Sequence, residues 1–128
     1  MHTVGLVLAG LAGLLHVAFF WMEALAWGRT DVQRRFGVTD PAEAATLRFS
    51  MLNQGWYNLF LGLGTLAGAI GSALGWDPQG TTLVVYGALF MLGAALVLVI
   101  ARPAMARAAV VQGLLPVLAL IALALGSR

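Results

Sequence analysis

The chain has 128 residues, of which 61% are hydrophobic and only 9% charged. A water-soluble domain of this size could not cover its surface with so little charge, so lipid must be the solvent for most of it. The seven basic residues are all arginine and sit mostly between apolar stretches, which argues against a nucleic-acid partner; the absence of cysteine excludes disulfides, thiolate metal sites and a thiol nucleophile.

A membrane-spanning helix needs about 20 mostly apolar residues. Four stretches qualify: Thr3 to Trp27, about Phe49 to Gly75, Thr81 to Ala101, and about Ala104 to Leu125. They predict an all-α integral membrane bundle of four transmembrane helices in a single domain, residues 1–128. Met1-His2-Thr3 has no basic character, so the first stretch reads as a retained helix and not a cleaved signal. After it, Gly28 suits the C′ position, and Thr30 with Gln33 resembles a capping box opening a short turn to Phe36. Asp40-Pro41-Ala42-Glu43 is a stronger start signal: an N-cap acceptor, proline at the first helical position and an acid at the third. The second helix is expected to begin there, in water, and to enter the membrane near Phe49. Asp77-Pro78-Gln79-Gly80 fits a type I turn, which gives a short outer hairpin between helices two and three. Pro103 can open the fourth helix. Arg29, Arg34, Arg35 and Arg48 occupy the first loop and Arg102 and Arg107 the third, whereas the tails and second loop hold only Arg128. By the positive-inside rule both termini lie outside the cytoplasm, in a multi-pass protein of the inner (plasma) membrane.

The polar residues inside the spans are few. Glu23 lies seven positions beyond His16 and so within about 20° of it on an α-helix, roughly 10 Å further toward the cytoplasm. Helix two places Ser50, Asn53, Gln54, Tyr57, Asn58 and Thr65 within about 140° of arc. Helix four adds Gln112, at the expected depth of Glu23, Asn53 and Gln54. Outward of these, Gly5, Ala9, Ala12, Gly64, Gly68, Gly71, Gly75, Ala119 and Gly126 are small, which predicts a bundle tight near its outer surface and wider toward the cytoplasm. Helix three, nearly devoid of polar residues, is the candidate lipid-facing or homodimer-facing wall.

Glu23 is the sharpest signal, because an ionisable group in a span is expensive and usually functional. The plainer reading is that it snorkels to the interface or pairs with Arg48. His16 is deeper, yet a lone histidine also serves as a helix-to-helix hydrogen bond. Asn53, Gln54, Asn58 and Gln112 taken singly are helix glue, contributing roughly 1 kcal/mol each. Trp21, Trp27, Trp56 and Trp76 fit interfacial belts, and Trp56 borders the polar face. One histidine with one glutamate makes a poor ligand set, so no metal or other cofactor is expected.

The segments His16 to Trp27 (HVAFFWMEALAW), Asn53 to Phe60 (NQGWYNLF) and Val111 to Leu118 (VQGLLPVL) resemble the bacterial membrane family catalogued as domain of unknown function 1304. The resemblance covers nearly the whole chain. It implies a four-helix membrane fold and points at His16, Glu23, Trp27, Asn53, Gln54, Asn58 and Gln112, without implying a reaction.

The function expected from the residues is a membrane-embedded isomerase or cyclase that takes an apolar, isoprenoid-like small molecule from lipid. Glu23 would be the general acid with His16 as the second catalytic group, and Trp27, Asn53, Gln54, Trp56, Tyr57, Asn58 and Gln112 would bind substrate. The alternatives are a small proton-coupled transporter of cations, acting as a dimer, or a non-catalytic accessory protein. Topology is directly testable: single cysteines at Arg34 and Gln79 should react oppositely with an impermeant thiol reagent in intact cells, only Gln79→Cys being labelled. Labelling of Arg34→Cys from outside would overturn the orientation.

Overall fold

The computed structural model describes residues 1–127 and is all-α. Arg128, part of the charge argument, lies outside the described residues. Helix α1 (His2–Phe20) continues as one π-helical turn, Trp21–Leu25; the short α2 (Thr30–Arg35) precedes the long α3 (Pro41–Ala73); α4 (Gln79–Ala101) is followed by a 3₁₀ turn, Pro103–Met105, and α5 (Ala106–Gly126). Three stretches are long and apolar enough to cross a membrane: His2–Leu25, Gln79–Ala101 and Pro103–Gly126. Helix α3 has 33 residues, roughly 50 Å of helix, but Ser50, Asn53, Gln54, Asn58 and Thr65 dilute its apolar character.

The four long helices form a ring in chain order. Helix α1 packs on α3 and α5, α4 packs on the same two from the opposite side, and α1 and α4 lie diagonally. Large apolar side chains such as Val7, Leu14, Phe60, Ile70, Phe90, Val97, Leu114 and Ile121 point outward on all four. Water would not tolerate so extensive an exposed apolar surface on a monomer.

Local chemistry sets the ends. Asp40 caps α3 by accepting from the Ala42 amide (3.0 Å), with Pro41 at the first helical position. The far end of α3 is closed by Gly75, whose φ of +89° suits glycine. The Trp76 amide bonds to the Gly71 carbonyl (2.8 Å) and the Gly75 amide to Ser72 (3.0 Å), the pattern of a Schellman cap. Gly75 is therefore a terminator and not a packing residue.

Three local expectations are corrected. Gly28 does not cap α1, which ends earlier through the π turn, and the left-handed glycines among the described residues are Gly37 and Gly75. Thr30 is not an N-cap: Arg29 is, and Gln33 donates to the Trp27 carbonyl (2.8 Å) instead of closing a capping box. Residues 77–80 do make a tight hairpin, but not through a type I turn; the Asp77–Pro78 peptide is cis and the Gly80 amide bonds to the Trp76 carbonyl (2.7 Å). Asp77 holds the hairpin by accepting from Thr81 and from Ser72 (3.0 Å), and these bonds keep its carboxyl below the usual carboxylate range.

The bundle differs at its two ends. At the hairpin end Leu6, Ala9, Ala69, Val84, Ala119 and Leu123 form a tight core of mostly small side chains. At the α2 end Ala26, Trp27, Val32, Val38, Ala44 and Met51 form a second core, in which the segment after α1 folds under the bundle. Between them α1 and α3 meet backbone to backbone: a Cβ on Gly13 would stand 2.9 Å from the Gly62 carbonyl, and one on Gly62 3.3 Å from Val17. Gly64, two residues away, faces open space. Gly62→Leu should therefore lower stability by about 1–3 kcal/mol, whereas Gly64→Ala should be neutral or stabilise by up to about 1 kcal/mol. Unfolding of the purified protein in mixed micelles checks both, and equal midpoints for Gly62→Leu and wild type would contradict the close approach.

Candidate functional site

The site begins with the π turn. In it the Ala26 amide reaches back five residues to the Trp21 carbonyl (2.8 Å), so one extra residue is accommodated and the phase of the helix shifts. Glu23 sits at the centre of this turn and is 2% exposed. Its neighbour on α3 is Gly55, where a Cβ would lie 2.9 Å from the Ala24 amide nitrogen and 3.2 Å from the Glu23 Cβ. Glycine there lets α3 press against the turn. One turn further along the same face, Asn58 Nδ2 donates to both carboxyl oxygens, Oε1 at 3.2 Å and Oε2 at 3.1 Å. Gln54, exposed on α3 beside Gly55, has its amide near the same carboxyl.

Among the described residues no cation pairs with Glu23. Among the described residues the only ion pair joins Arg29 and Asp31 (3.0 Å), each 59% exposed, with the Arg29 guanidinium also 5.7 Å from the Trp21 ring centre. Arg48, the partner in the plainer reading of Glu23, instead lines with it a cavity of about 420 Å³ whose walls include Trp27, Thr46, Phe49 and Leu52. Trp27 is fixed there by its indole, which donates to the Ala44 carbonyl (2.9 Å), and by an edge-on contact with Phe36 (5.7 Å).

The remaining expected residues lie elsewhere. His16 is 1% exposed, its Nδ1 bonded to the Ala12 carbonyl (2.8 Å) and its ring edge-on to Phe19 (5.1 Å). A carbonyl can only accept, so Nδ1 carries a hydrogen, and in the neutral ring the buried Nε2 is then a bare acceptor with no partner among the described residues. Asn53 is exposed. Trp56, 43% exposed, packs outward against Phe20 (5.0 Å) and Phe60 (5.9 Å), and Tyr57 is 66% exposed. None of these four lines the Glu23 cavity. Gln112 is half-buried on α5. Helices α1 and α5 touch at Gly5 with Leu123 and at His2 with Gly126, and equal steps from those contacts bring His16 level with Gln112. Gln112 thus belongs to the layer of His16, not to that of Glu23.

Sequence reasoning passed over Thr46, Phe49 and Leu52 because they are apolar or sit before the span. Their signal was spacing: Leu52, Phe49 and Thr46 step back by threes from Gly55, along the side of α3 that also carries Arg48 and Ala45. Among the described residues no three His, Asp or Glu side chains converge to hold a metal ion. What remains is a single buried carboxyl, held by amides, at the edge of a cavity with aromatic walls: a group able to give or take one proton, or to hold one cation.

No curated protein and no solved structure matches the chain. One family pattern does, over residues 10–124, a span that contains Glu23, the amides that hold it and every wall of its cavity: the chain belongs to DUF1304, a family described as protein of unknown function.

Proposed function

We propose that this protein is a four-span membrane enzyme that isomerises or cyclises an apolar, isoprenoid-like substrate, with Glu23 as the general acid. In this reading α3 crosses the membrane beside the three more apolar helices, the termini and hairpin face outward, and the α2 end with its arginines faces the cytoplasm. The carrying observation is the state of Glu23: buried, oriented by the Asn58 amide, paired with no cation among the described residues, and on the wall of a cavity rather than sealed in a core. The reaction needs no co-reactant. The Glu23 proton adds to an alkene carbon through its π electrons, leaving a carbocation that the Trp27 and Phe49 rings can flank. Loss of a proton from a neighbouring carbon forms the new double bond and restores the acid. His16, which does not line this cavity, takes no part in the step. Asn58 acts as a positioning residue through Glu23.

A cation carrier would also use a buried carboxyl, but it needs a route to the opposite side. The hairpin end offers only the packed core around Ala9, Val84 and Ala119, which favours an enzyme open on one side. The test is incubation of purified protein with farnesol, its hydrocarbon analogues and their epoxides in heavy water. Deuterium should enter carbon positions of at least one of them, with Glu23→Gln lowering the rate by about 10²-fold or more while still inserting and eluting as wild type. Unchanged incorporation in Glu23→Gln, or amine uptake into proteoliposomes that is driven by a pH gradient and abolished by this variant, would contradict the proposal.

A further inference from the structure

The cavity beside Glu23 has two chemically different ends. Glu23 meets Gly55 and is hydrogen-bonded by Asn58. Arg48, on the same face of α3, is seven residues nearer the helix start, which is roughly 10 Å along the axis. Between them lie Phe49 and Leu52, with Trp27 opposite. Thr46, also on the wall, spends its hydroxyl hydrogen on the Ala42 carbonyl (3.0 Å), and among the described residues Arg48 is the one cation on the cavity wall.

Arg34, Arg35, Arg102 and Arg107 also form no ion pair among the described residues, and what sets Arg48 apart is its place on the wall of the Glu23 cavity. Arg29 is engaged by Asp31 and by the Trp21 ring. Arg48 is exposed, forms no ion pair among the described residues, and shares a cavity with a carboxyl that it does not neutralise. A guanidinium at one end of a cavity with apolar and aromatic walls matches an oxyanion in charge and in fork geometry. The geometry points to an amphiphilic occupant: a phosphate or carboxylate head at Arg48, and an apolar body running past Phe49, Leu52 and Trp27 so that its carbons roughly 10 Å from the head reach Glu23. This deepens the preceding proposal and rests on it for the chemistry, since the reacting carbon is then set by distance from an anionic head.

The head can be tested without the chemistry, because a saturated chain cannot be protonated at carbon. Dodecyl phosphate, dodecanol and dodecyltrimethylammonium are titrated into the protein in dodecyl maltoside micelles, with tryptophan fluorescence as the readout. Dodecyl phosphate should bind at least about tenfold more tightly than the other two, and Arg48→Gln should remove that difference while Arg48→Lys keeps part of it. Binding of the ammonium or the alcohol as tight as that of the phosphate overturns the inference without any variant, as does an Arg48→Gln protein with wild-type affinity. Displacement of dodecyl phosphate by an equal concentration of inorganic phosphate would make this a free-anion site and overturn the amphiphile. A positive binding result beside absent deuterium incorporation would keep the anionic head and reject the acid chemistry.

Discussion

A carboxyl group inside an apolar bundle must take its hydrogen bonds from protein, since neither lipid nor a hydrophobic core can supply them. Around Glu23 this requirement organises one whole end of the molecule. The π turn aims the side chain inward, Gly55 removes the bulk that would hold α3 away, and Asn58 supplies a donor to both oxygens. The segment after the turn then folds beneath the bundle, tied by the Trp27 indole to Ala44 and by Gln33 to the Trp27 carbonyl. That fold-under places Trp27 on the cavity wall and brings the α3 stretch Thr46 to Leu52 opposite the carboxyl.

The hairpin end obeys a different logic. Small residues let the helices close tightly, and the Ser72, Asp77 and Thr81 side chains tie the end of α3 to the start of α4. Between the two ends, the largest fully buried side chains include one from each long helix: His16, Thr65, Met91 and Pro116. Pro116 has no amide hydrogen, which leaves the Gln112 carbonyl without its usual helical partner. The bare His16 Nε2 and this carbonyl are at comparable depth, so the middle of the bundle keeps polar groups that ordinary helix packing does not use.

Much of this was legible from residues whose chemistry is local. The Asp40-Pro41 start follows from cap geometry, and Glu23 and Asn58 stand out because polar groups in apolar spans must find each other. Other features carry no such mark. WMEAL, the π turn, is ordinary helical sequence, so α-helical phasing put Glu23 and His16 on one stripe although a wider turn intervenes. On α3 an arc of about 140° spans both an inward and an outward face, and polarity alone could not tell Asn58, which turns in, from Asn53 and Tyr57, which turn out. Gly75 was indistinguishable from its packing neighbours, since the sequence does not display φ. The cavity wall was missed because a wall of Phe49 and Leu52 reads as ordinary span.

A double-mutant cycle on unfolding in micelles measures whether Asn58 holds the Glu23 carboxyl. Asn58→Leu should destabilise the wild-type protein by about 1–3 kcal/mol, because it strips a buried carboxyl of its donor. In a Glu23→Leu background the same change should cost clearly less, giving a coupling of about 0.5–3 kcal/mol. Equal costs in the two backgrounds would mean that the two side chains do not meet.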